Sequence, residues 1–164
     1  MKNNRKDFSR GFTLTELLAV VIIIAILSGI ASGSYKKSVE QSRFSDGLRM
    51  ATTVAEAVDR HYFDTKVQRP KISQLDISFD NQQSCGDYCV KTKYFQTTIT
   101  NNGYVEAARS SGQYKVRVYS NAFGSNTRQE PVCMALNEEG KNFCGAMGYT
   151  SCTGTGYPKT CSKP

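Results

Sequence analysis

Tryptophan is absent from the chain, histidine occurs once, as His61, and of the four prolines none precedes Pro70. With a single histidine and no Gly-x-Ser-x-Gly element, the usual nucleophile and base constellations of hydrolases have no raw material. We therefore expect no enzymatic activity and read His61 as a helix-surface residue. The missing prolines leave nothing to break a helix over the first 69 residues. Cysteine is absent from the first 84 residues, and Asp does not recur after Asp87. Charge is scarcest in residues 12–31 (FTLTELLAVVIIIAILSGIA), which carry Glu16 alone.

At a helical rise of about 1.5 Å per residue, that run spans roughly 30 Å, the thickness of a bilayer core. The 164 residues thus hold an anchor and one modest globular domain. The flank before the run carries Lys2, Arg5, Lys6 and Arg10 against Asp7, which keeps it cytoplasmic and sends the C-terminal part across. Of the net charge of +7, this flank supplies a net +3, so the remainder is only mildly basic. All six cysteines, Cys85, Cys89, Cys133, Cys144, Cys152 and Cys161, follow the anchor. An even count beyond a membrane segment points to disulfides in an oxidising compartment rather than to a zinc site, since Cys85-x3-Cys89 has no second close pair of matching form. No metal or other cofactor is expected. Fifteen pairings are open; we take the local one, Cys85 with Cys89, Cys133 with Cys144, and Cys152 with Cys161.

An ordinary secretory signal, cut after Gly29-Ile30-Ala31, and a plain signal anchor both leave Glu16 unexplained, since a carboxylate costs about 3 kcal/mol at the bilayer centre. The stretch Arg10-Gly11-Phe12-Thr13-Leu14-Thr15-Glu16-Leu17-Leu18 resembles the prepilin motif of type IV pilins and type II secretion pseudopilins: a short basic leader, a terminal glycine, an aromatic first mature residue, a glutamate four residues on and an unbroken apolar helix. The resemblance implies cleavage between Gly11 and Phe12 by a membrane-embedded prepilin peptidase and N-methylation of Phe12 by the same enzyme. It implies assembly on an inner-membrane platform into a helical homo-oligomeric filament, the chain lying in the inner membrane before assembly and in an extracellular pilus afterwards. Glu16 would pair with the N-terminal amine of a neighbouring subunit, because two uncompensated charges in an apolar bundle are costly and their pairing sets the register. Many members carry a proline in the anchor where this chain has Gly33, with Gly29 one turn earlier, and these glycines are where we expect the helix to melt in a filament. Pseudopilins of the major kind usually have an Asp-rich calcium loop and few cysteines, so a pilin serving adhesion, motility or uptake is preferred over a secretion pseudopilin. The remaining alternative is a membrane-anchored binding module.

Phe44, Leu48, Ala51, Ala55, Val58 and Tyr62 step by four and three, one amphipathic stripe, and Lys36, Lys37, Glu40, Arg43, Asp46, Arg49, Glu56, Asp59 and Arg60 occupy the other face. This predicts one helix over residues 12–63, roughly 80 Å long. Residues 94–100, 104–109 and 114–120 are rich in β-formers and separated by Asn101-Asn102-Gly103 and Ser110-Ser111-Gly112, signals for hairpins. A fourth strand over 131–136 and a helical turn near 142–147 are expected in the tail. The fold is thus α+β: a long N-terminal helix whose second half packs on a small antiparallel sheet, with a disulfide-rich C-terminal region. The expected divisions are a leader (1–11), the membrane and filament-core half of the helix (12–34), its amphipathic half (35–63), a connecting loop (64–91), a β-meander (92–120) and the Cys-rich region (121–164). Tyr62, Tyr94, Tyr104 and Tyr114 are read as core or strand aromatics, and Lys91, Lys93, Lys115, Arg117, Arg128, Lys141 and Lys159 as a solvated or subunit-facing pattern in preference to a nucleic-acid face.

Overall fold

A computed structural model of the full chain describes residues 11–123 and 129–164, with 30–33 described by their backbone alone. The leader up to Arg10, and Arg128, lie outside the described residues. Two compact units are present, Met1–Glu40 and Gln41–Pro164. Helix α1, Leu14–Thr65, supplies the described secondary structure of the first and the spine of the second.

In the first unit the apolar side chains of α1 have nothing to pack against: Leu14 is 81% exposed, and Leu17, Leu18 and the isoleucines that follow are all exposed. Among the described residues no single helix is long and apolar enough to cross a membrane, but Leu14–Gly29 and Ser34–Thr65 pass that test together, as a pair broken at 30–33. Such a helix satisfies its own backbone and leaves its side chains to an apolar surrounding.

In the second unit the stripe is buried as expected at Phe44, Ala51, Ala55 and Val58 and partly buried at Leu48 and Tyr62. The buried face is wider than the stripe, because Gly47, Val54 and Ala57 are also covered. Gly47 is where the sheet comes closest: a Cβ there would lie 2.5 Å from the Phe95 ring. The helix stops at Lys66, whose φ of 61° is left-handed and whose N–H donates to the Tyr62 carbonyl, while the Thr65 hydroxyl donates to the His61 carbonyl.

Eight antiparallel strands follow: β1 Gln83–Gly86, β2 Cys89–Lys91, β3 Phe95–Ile99, β4 Tyr104–Arg109, β5 Tyr114–Tyr119, β6 Val132–Ala135, β7 Ser151–Thr153 and β8 Lys159–Ser162, in sheet order β1-β2-β3-β4-β5-β6-β8-β7. A second helix, α2, Glu138–Ala146, lies between β6 and β7 and is capped by Asn137, whose side chain accepts from the Gly140 N–H. The three central strands fall where alternation places them, and β5 buries Tyr114, Val116 and Val118 while Lys115, Arg117 and Tyr119 are half-buried on the other face. Two differences stand out. The stretch 64–91, expected as a connecting loop, contains a 3₁₀ turn at Ile72–Gln74 and the hairpin β1–β2. The tail contributes two further strands, β7 and β8, beyond the one expected near 131–136.

The sulfurs explain both. Cys85–Cys89 closes the β1–β2 hairpin, Cys133–Cys144 ties β6 to α2, and Cys152–Cys161 joins β7 to β8. Each staples a segment with little apolar surface of its own, for a typical gain of about 2–4 kcal/mol. Asp59, expected on the solvated face of α1, instead holds the far end of β5: its carboxylate accepts from the Ser120 hydroxyl (2.6 Å), the Asn121 side-chain amide (3.0 Å) and the Ala122 N–H (3.0 Å).

Candidate assembly site at the N-terminus

Gly11, Phe12 and Thr13 precede the helix without regular structure, and all three are exposed. Nothing lies within 4 Å of where a Gly11 side chain would begin, so the backbone is open to a protease that grips it in extended form. Phe12 is 83% exposed. Thr13 is the N-cap and Glu16 the third helical residue. The Glu16 N–H donates to the Thr13 hydroxyl (3.3 Å), and Glu16 Oε2 accepts from the Thr13 N–H (2.9 Å) and from its hydroxyl (2.7 Å). This is a reciprocal capping box, written in the sequence as Thr-x-x-Glu and overlooked in reading Glu16 as an assembly residue alone.

The consequence is chemical. In the uncut chain the Glu16 carboxylate is fully engaged with its own helix start, with no cation in contact with it among the described residues. Hydrolysis of the Gly11–Phe12 bond creates an ammonium one residue before the cap, so a carboxylate held at the helix N-terminus gains a charge partner at the same level of the anchor.

Residues 7–32 match the family profile described as "Prokaryotic N-terminal methylation motif". The chain belongs to the type IV pilin-like proteins. It is 25% identical to the type IV major fimbrial protein FimA of Dichelobacter nodosus over 93% of this chain and 92% of that protein. It is 39% identical to the fimbrial protein EcpC of Eikenella corrodens over 38% of this chain, and 24% identical to the type IV major pilin protein PilE1 of Neisseria gonorrhoeae over 83%. These two alignments span 40% and 58% of the relatives' own lengths. No solved structure matches the chain.

Gly29 and Gly33 both lie within α1, and a side chain at Gly29 would meet nothing within 4 Å. Packing therefore does not require glycine at position 29. The six cysteines are all in disulfides, so none offers a thiolate to a metal. His61 is half-buried on α1. The basic residues of the head form no single stripe: Lys115 and Arg117 converge on Glu106 (3.3 and 2.8 Å), and Lys141 pairs with Glu138 (3.2 Å). Arg117 also lies 3.7 Å from the centre of the Tyr104 ring.

Proposed function

We propose that this chain is a structural subunit of a type IV pilus, parked in the inner membrane by residues 12–31, cut before Phe12 by a prepilin peptidase, N-methylated there and polymerised through its N-terminal helix into an extracellular filament. The observation that carries this reading is the capped Gly11-Phe12-x3-Glu16 start on a helix whose apolar side chains are left bare. A bare apolar helix of this length needs either lipid or copies of itself, and a filament core supplies the second. The role is mechanical, not enzymatic. Glu16 sets register by meeting a neighbour's N-terminal ammonium, and Gly29 and Gly33 supply the low-cost point at which the anchor helix unwinds. Fimbrial relatives and a head closed by three disulfides favour the pilus over a secretion pseudopilus.

The test is the N-terminal sequence and intact mass of the protein from cells that hold the peptidase, together with its yield in fibres sheared from the surface. A chain beginning at methylated Phe12, lighter by two hydrogens for each disulfide and recovered in fibres, is the expected result. Normal fibre yield from Glu16→Ala as the sole subunit would sink the charge-pairing account. A chain that starts after Ala31, or that stays wholly with membranes, would return it to the secreted or anchored binding modules.

A further inference from the structure

Helix α1 joins the globular unit at Gln41, and Phe44, three residues on, packs against Tyr114, Phe143 and Tyr149 at ring distances of 5.6, 5.7 and 5.7 Å. The start of β5 therefore marks the end of the unit at which the helix arrives, its basal end. Antiparallel register brings other residues to it. Phe95 at the start of β3 pairs with Arg109 at the end of β4, and Lys91 at the end of β2 pairs with Gln96. At the opposite end Asp59 grips Ser120 and Ala122, and Asp76 pairs with Arg60.

The basal end carries a group of cations around one tyrosine. Arg43 from α1, Lys93 from the β2–β3 connection and Arg109 from β4 lie 4.5, 5.2 and 5.4 Å from the centre of the Tyr94 ring. Arg109 donates to the Tyr94 carbonyl (3.1 Å), which fixes the group from beneath. Lys93 donates to the Tyr94 hydroxyl and, with its charge and that of Arg43, holds the phenol below its usual value. Lys91 and Lys93 are exposed, and Lys163 stands 5.4 Å over Tyr149 at the same end. The acids here are Asp46 and the α2 pair, and of these Glu138 is taken up by Tyr157 and Lys141, and Glu139 by the Gln113 amide (3.0 Å). A tyrosine set among lysines and arginines is the chemistry of a protein surface that rests at the headgroup level of a bilayer. Connectivity places this surface there: residues 12–31 precede Gln41 by only a few helical turns, and the intervening stretch adds Lys36 and Lys37.

We infer that the basal end of the head, through Arg43, Lys91, Lys93, Tyr94 and Arg109, docks on anionic phospholipid headgroups of the membrane in which the unassembled subunit is anchored. This rests on the membrane-parked stage proposed above. Docking holds the head down until assembly lifts it, and it makes extraction of the subunit sensitive to lipid charge.

The full chain is reconstituted in vesicles of phosphatidylcholine alone or of phosphatidylcholine doped with phosphatidylglycerol, and amide exchange is followed by mass spectrometry at residues 91–95 and 109–113. Slower exchange is expected in the anionic vesicles only. High salt should abolish the slowing, and each of Lys91→Gln and Lys93→Gln should weaken docking about fivefold. Equal exchange in both lipids, from a chain that resists carbonate extraction, overturns the inference and leaves the anchored subunit standing. Slowing that grows with protein density and ignores lipid charge would mean contact between heads and overturns it too. A chain that carbonate releases removes both the parked stage and the docking.

Discussion

The same substitution, Gly→Ala, should have opposite signs at different helical positions of the globular unit, decided by what the new methyl meets. In a helix interior alanine gains roughly 1 kcal/mol over glycine by reducing the entropy of the unfolded chain. At Gly145, in the last turn of α2, a Cβ has open space, so Gly145→Ala should stabilise by up to about 1 kcal/mol. At Gly47 the methyl would sit 2.5 and 2.6 Å from two carbons of the Phe95 ring, where ordinary contact begins near 3.4 Å. Phe95 is 1% exposed, and its ring is flanked by Tyr114 at 6.4 Å and the Arg109 guanidinium at 5.7 Å, so it has little room to retreat. Overpacking of this kind costs about 1–3 kcal/mol, which outweighs the gain and leaves Gly47→Ala about 1 kcal/mol less stable. At Gly140 the obstacle is backbone, the Gln113 carbonyl oxygen at 1.9 Å, and the loss should exceed that at Gly47. Urea unfolding of the intact, disulfide-bonded chain in detergent, followed by tyrosine near-ultraviolet circular dichroism, gives the order directly. A Gly47→Ala variant as stable as the parent would refute the close seating of Phe95 against α1, and with it the packing of the spine on the sheet.

Thr97, at the centre of β3, is fully buried and its hydroxyl has no hydrogen-bond partner, so Thr97→Val should stabilise by about 1 kcal/mol in the same unfolding assay; a loss would reveal a bonded hydroxyl. Two tyrosines should leave the ordinary range in a spectroscopic titration. Tyr157, donating to the Glu138 carboxylate, is pushed up to about 12, and Tyr94, beside Lys93 and Arg43, is drawn down. The Tyr157 bond stabilises the neutral phenol, so its contribution is complete below the unfolded tyrosine value near 10 and is lost as the pH rises through about 12. Tyr157→Phe should remove the last-titrating phenol, and its persistence would place the perturbed group elsewhere.

What was legible in the sequence was whatever follows a period or a motif. A span with one charge, a four-three stripe and three alternating strands each repeat a physical constraint over many residues, so α1 and β3 to β5 could be read to within a few residues. The strands β1, β2, β7 and β8 could not, because they are three or four residues long, lie at or near the sheet edges and carry almost no apolar alternation. Their pairing is enforced by disulfides, which sequence lists as cysteines without saying which backbone each holds. Asp59 was hidden for a different cause: its charge fits a solvated helix face, and only the return of the chain at Ser120 gives it three donors. At the N-terminus the glutamate was conspicuous as an isolated charge, whereas its local partner Thr13 was read only as part of a motif.

These differences bear on how one chain serves two environments. The globular unit closes on itself through the buried half of α1, an eight-stranded sheet and three staples, so its stability does not depend on the anchor. The exposed half of α1 has no tertiary partner and is therefore free to exchange lipid for neighbouring copies without unfolding the head. Such an exchange needs a charged group that is tolerable in lipid yet unsatisfied enough to select a partner. A carboxylate that accepts two bonds from Thr13 meets the first condition, and a new ammonium at Phe12, supplied only after cleavage, meets the second. Processing would then act as the trigger for assembly by changing one charge, with the fold of the head left as it was.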